Sequence, residues 1–130
     1  MMYNKLVEAN FFNPRHVGVV DLLSSNLSAY CRRGEAGRGD ILDLYLLCNK
    51  KGIVEKARFK AFGNPYLVAA AEWLCRQLEG SSIYQHPCYD FKYLLQLLEI
   101  PQKRYFVALF VEDSYRELVE LMKTKLKGEV

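Results

Sequence analysis

The sequence predicts an α+β fold: a three-stranded antiparallel sheet, helices packed on one of its faces, and a long C-terminal helix. Three observations carry this. Ala57, Phe59 and Ala61 alternate with Arg58 and Lys60, the period of a half-buried strand. Leu67, Ala71, Leu74, Cys75 and Leu78 recur at helical spacing directly afterwards. The remaining patterns fall in the order helix, three strands, helices, which places the helices together against the sheet.

Taken in order, residues 3–12 read as a short helix that ends before Asn13-Pro14, because proline disfavours helical backbone in the residue before it. Asp21–Asn26 reads as a loop and Leu27–Arg32 as an edge strand. Gly34-Glu35-Ala36-Gly37-Arg38-Gly39-Asp40 is a glycine-rich loop. Ile41–Cys48 is a strand of buried type. Asn49-Lys50-Lys51-Gly52 turns the chain, and Ile53–Phe62 returns beside it. Gly63-Asn64-Pro65 is a sharp corner into the helix Tyr66–Leu78, with Pro65 suited to a first helical turn. Ser81-Ser82-Ile83 reads as the start of a short helix stopped by His86-Pro87. Asp90–Leu98 is a helix with Asp90 as its N-cap. The last helix runs from about Arg104 to Leu126. Its predicted buried stripe is Val107, Val111, Ser114, Leu118 and Leu121; its predicted wet face is Glu112, Arg116, Glu120, Lys123 and Lys127.

The 130 residues are expected to form one domain. No apolar run approaches the ~18–20 residues that would cross a membrane, and Met1-Met2-Tyr3-Asn4-Lys5 lacks the apolar core of a signal peptide. A cytoplasmic protein with reduced thiols is the expectation. A net charge of +3 does not by itself argue for nucleic acid. Cys48 and Cys75 read as small core residues. Cys31, Cys88, His16, His86 and Asp40 are the ligand types left outside the expected core. Ser24, Ser25, Ser81 and Ser82 have no evident base partner, so the chain is read as a non-enzyme.

The chain resembles the IscU/NifU N-terminal family of iron–sulfur cluster assembly scaffolds over nearly its whole length. The likeness rests on Asn13-Pro14-Arg15-His16-Val17-Gly18, on Gly39-Asp40 before a strand, and on Gly52 through Lys60. It rests further on Gly63 at the corner and on Glu112-Asp113 in the last helix. The resemblance implies an IscU-like fold and a cluster site made of three cysteines helped by an aspartate or a histidine. This sequence departs from that site. Arg38 stands where the first cysteine belongs, Asn64 where the second does, and Phe106-Val107 where a histidine and the third cysteine do; Asp40 is retained. Thiolate suits iron–sulfur chemistry because it is soft and anionic, whereas arginine is a fixed cation that cannot ligate. The expectation is therefore a scaffold-like protein with no bound cofactor at Arg38, Asp40, Asn64, Phe106 and Val107, and with Phe106 large enough to fill the corner. Its role would be non-catalytic and interactive or regulatory, with a cysteine desulfurase or a true scaffold as partner.

The family's chaperone-binding Leu-Pro-Pro-Val-Lys corresponds to Ile100-Pro101-Gln102-Lys103-Arg104, which makes these five the expected partner-binding stretch. The lost second proline and valine argue against docking of that particular kind. Two alternatives stay open. A rearranged site around Asp40 and Cys31 would carry an iron–sulfur cluster, iron or zinc, and Arg32, Arg33 and Arg38 around the glycine-rich loop would bind an anion or nucleic acid.

Overall fold

The computed structural model describes residues 3–35, 37, 39–85 and 89–128. Helix α1 (Lys5–Phe11) starts at Asn4, whose side chain accepts the Val7 N–H. Three strands follow, β1 (Ser28–Arg33), β2 (Ile41–Cys48) and β3 (Val54–Phe62), paired antiparallel in the order β1-β2-β3. The register places Cys31 opposite Leu44 and Leu44 opposite Phe59. Ala29, Cys31, Leu42, Leu44, Leu46, Ala57 and Phe59 are all buried, so this alternate set is the core face of the sheet. Helices α2 (Pro65–Leu78) and α4 (Tyr105–Gly128) pack on it, α4 lying chiefly against β1 and α2 against β3. Between them run α3 (Phe91–Leu97), capped by Asp90, and a single 3-10 turn at Gln102–Arg104. No helix among the described residues is long and apolar enough to cross a membrane.

Four expectations are corrected. Ser81–Ile83 is not helical. Ser81 accepts the Val54 N–H, Ile83 donates to Gly52, and Ser82 bridges Ile53, so the segment pairs with the mouth of β3. Leu121 is exposed and Met122 is buried in its place, because from Leu118 the stripe advances by four residues to Met122 and again to Leu126. Glu112 is buried as well, and its carboxylate accepts the Phe91 N–H at the start of α3. Cys31, expected outside the core, lies inside it.

Candidate functional site

The corner between β3 and α2 is built by two glycines and one side-chain pair. Opposite pairing of Ile41 with Phe62 brings Asp40 beside Gly63 and Asn64. Asp40 Oδ1 accepts the Asn64 backbone N–H at 2.8 Å and its Nδ2 at 2.9 Å. Asn64 Oδ1 in turn accepts the N–H groups of Tyr66 and Leu67, at 2.9 and 3.3 Å, and so caps α2. Gly63 has φ +146°, and a Cβ there would overlap the Asp40 carboxylate. Gly34, at φ +95°, lets the other arm of the β1–β2 loop approach the Asp40 carbonyl in the same way.

Beside this corner lies an open pocket of about 390 Å³ lined by Gly34, Glu35, Asp40, Phe106 and Phe110. The two phenylalanine rings meet edge to face at 5.5 Å. Asp40 thus neighbours Asn64 on one side and shares this pocket with Phe106 on the other. Phe106 walls the pocket and does not fill it, contrary to the expectation from its size. Val107 is fully buried on the core side of α4 and does not face the pocket. Arg38 lies outside the described residues, as do His86 and Cys88.

The corner's donors do not fit an iron–sulfur cluster. Asp40 offers one hard carboxylate already bonded through Oδ1, Asn64 has committed both ends of its amide, and Phe106 has no donor. Among the described residues, no group of three or more His, Cys, Asp or Glu side chains is arranged to hold a metal ion. Cys31 and Asp40 are not brought together. Its thiol lies against the Ser114 carbonyl at 3.6 Å, and burial pushes it up to about 11. It pairs with Leu44, four residues along from Asp40, roughly 13 Å away at strand spacing.

The expected arginine trio is also divided. Arg32 projects from the outer face of the sheet onto Asp43, at 2.7 and 2.9 Å, where Tyr30 also donates. These hydrogen bonds, the Arg32 guanidinium first, hold the Asp43 carboxyl below its ordinary value. Arg33 projects from the other face onto Glu117 of α4 at 2.7 Å.

Ile100 is buried, while Gln102, Lys103 and Arg104 are exposed. Pro101, Lys103 and Arg104 form one side of a groove of about 310 Å³ whose other side is Tyr3, Asn64, Pro65 and Tyr66. Asn64 therefore belongs to both the groove and the Asp40 corner.

Sequence reasoning missed Glu72. It is wholly buried on α2, and its carboxylate accepts the backbone N–H groups of Arg15 and His16, each at 2.8 Å. The same group binds the His16 ring at 2.6 Å and Arg76 at 2.7 Å, and Arg76 also donates to the Asn13 carbonyl. Burial would raise the Glu72 carboxyl. The His16 N–H, the Arg76 guanidinium and the His16 ring outweigh it, and the group sits below its ordinary value. Glu72 is what clamps the Asn13–Gly18 segment onto α2. The signal in the sequence was an acid adjoining the apolar stripe, four residues before an arginine.

Comparison with known proteins accounts for this architecture. The family model for the NifU-like N-terminal domain matches residues 2–115. The iron–sulfur cluster assembly scaffold protein IscU of Escherichia coli K12 is 26% identical over 129 residues, covering 99% of this chain and all of the relative. IscU of Buchnera aphidicola subsp. Schizaphis graminum is 27% identical over 125 residues, covering 96% of this chain and 97% of the relative. The crystal structure of a NifU-like N-terminal protein from Brucella abortus superposes with a TM-score of 0.67 at 15% identity, covering 94% of each chain. On the family match, the chain belongs to the NifU-like N-terminal domain family.

Proposed function

We propose that this chain serves iron–sulfur cluster assembly in the cytoplasm as a scaffold-like protein that binds other assembly components and does not hold a cluster at the family's ligand positions. The relatives above are themselves named as assembly scaffolds. The observation that carries the reading is the double engagement of Asn64. Its amide is committed to Asp40 on one side and to the α2 N-terminus on the other, which supports reading the position as a structural joint in place of a ligand. The surfaces around it, the Phe106–Phe110 pocket and the Pro101–Arg104 groove, remain open. A cysteine desulfurase or a cluster-bearing scaffold is the partner class this reading names, and the role requires no catalysis by the chain itself.

Two experiments test it. Anaerobic reconstitution with iron and sulfide is expected to leave the protein colourless; a stable visible chromophore would overturn the reading. The tagged protein is expected to retain a cysteine desulfurase or scaffold from cell extract, and recovery of no assembly component would count equally against it. The separation of Cys31 from Asp40 is the observation that sets the carrier alternative second. The loop-anion alternative is weakened by the opposite projection of Arg32 and Arg33.

A further inference from the structure

The helices leave one face of the sheet uncovered. Along β3, Lys56, Arg58 and Lys60 project from that face at every second residue, which spaces them by about 6–7 Å. Phe62 continues the row and is 62% exposed. Across the sheet, Lys60 lies opposite Asp43 and Arg58 opposite Tyr45, and β1 adds Arg32 and Tyr30 in the same two rows.

The charge on this face is one-sided. Its acid, Asp43, is buried and consumed by Arg32 and Tyr30. At the margin, Glu79 pairs with Arg58 at 2.6 Å, and Glu55 is exposed near the start of β3. Lys56 and Lys60 are exposed, and neither has an ion pair among the described residues. Rings are interleaved with these cations. Tyr30 and Tyr45 are packed with centroids 4.9 Å apart, and Phe62 stands free at the end of the row.

We propose that this outer sheet face, centred on Lys56, Lys60, Tyr45 and Phe62, docks single-stranded nucleic acid. Lys56 and Lys60, on the same face of one extended strand with the Glu79-paired Arg58 between them, can meet the phosphates of an extended backbone. The exposed Phe62 ring, with the half-buried Tyr45 further along the face, provides a stacking surface that every base can use. The rings favour this occupant over an acidic protein segment, which the cations alone would suit equally well. The net charge of the chain gave no hint of the site because most of the acids lie elsewhere, on the helices and loops, with Asp43 and Glu55 the exceptions on the strands. The inference stands apart from the reading of the Asp40 corner and survives or fails without it.

Fluorescence anisotropy with labelled oligothymidylate and oligouridylate tests it and separates DNA from RNA. Saturable binding at low salt is expected, with the logarithm of affinity falling linearly against that of salt concentration. Lys56→Glu with Lys60→Glu should weaken binding by about tenfold or more, and Phe62→Ala by about fivefold or more. Lys123→Glu with Lys127→Glu, the same charge change on α4, should leave it unchanged. Circular dichroism confirms that each variant is folded, which is expected because these side chains are not in the core. No binding at low salt overturns the proposal, as does equal weakening by the α4 control. A duplex bound as tightly as the single strand also overturns it. So does capture of a glutamate-rich peptide without any oligonucleotide binding, which would assign the face to an acidic protein.

Discussion

Asn64 donates to Asp40 twice, from its backbone and from its side chain, and both bonds end on the same carboxylate oxygen. The Asn64 carbonyl oxygen meanwhile holds the first N–H groups of α2. One side chain thus fastens the strand β2 to the helix α2 across the corner at Gly63. Asn64→Asp separates these two jobs. The variant still caps α2, but it loses the Nδ2 donor and sets a second carboxylate against Asp40. We expect a loss of about 1–2 kcal/mol near neutral pH. Like charge raises the pair's native-state proton affinity, so the variant recovers stability as pH falls into the carboxylate range. Urea midpoints measured across that range check this; a deficit that stays constant with pH would show that no carboxylate contact had formed.

Gly63→Ala should cost about 1–3 kcal/mol, from the positive φ and from the overlap of its Cβ with Asp40. The overlap is with a side chain and not with backbone, so the two positions are coupled. Asp40→Ala combined with Gly63→Ala should be less damaging than the sum of the single variants. A double-mutant cycle by chemical denaturation reads the coupling directly. Strict additivity would mean that the backbone conformation alone accounts for the glycine.

Glu72 gives a prediction with a defined pH sign. Glu72→Gln keeps the volume of the side chain but removes the anion that Arg76 meets and leaves the His16 ring only Glu79, at 3.4 Å. The expected loss is about 3 kcal/mol, the low end for a broken buried pair, because Arg76 is partly exposed and screened. The native carboxyl lies below its ordinary value. Its contribution is therefore complete above the unfolded-state value and withdrawn as pH falls through the native one. The gap between wild type and Glu72→Gln should close in acid. A gap independent of pH would assign Glu72 a packing role only.

The strands and the corner were legible because each had a local cause. Alternation marked Ala57–Phe62, and Gly63 with Pro65 marked the turn into α2. The helix boundaries at Asp90 and Leu78 were legible for the same reason, since capping and apolar spacing act over a few residues. What escaped reading depends on contacts distant in sequence. Glu72 is buried because backbone N–H groups more than fifty residues earlier need an acceptor. Glu112 is buried because α3 begins beside it. Ser81–Ile83 extends because the mouth of β3 offers it a partner. At the site, Asn64 and Phe106 could be singled out from the sequence, but the hydrogen bonds of Asn64 could not. Its hydrogen bonds depend on Asp40 arriving from across the sheet.

The buried thiols supply the last prediction. Cys31, Cys48 and Cys75 are almost wholly enclosed, and burial pushes the first two up to about 11 and the third well above its ordinary value. Thiolate is the reactive form, so at neutral pH these groups are protected both by access and by protonation. In a Cys88→Ser background, an aromatic disulfide reagent should label none of the three in the folded protein, and all three once denaturant unfolds it. The labelling rate should follow the opening of the fold, rising as urea lowers stability. Rapid stoichiometric labelling of Cys31 in the native state would place its sulfur at the surface and reopen a metal-binding role beside the glycine-rich loop. Protection of Cys31 equal to that of Cys75 would fix it in the core under α4, where its sulfur meets the Ser114 carbonyl.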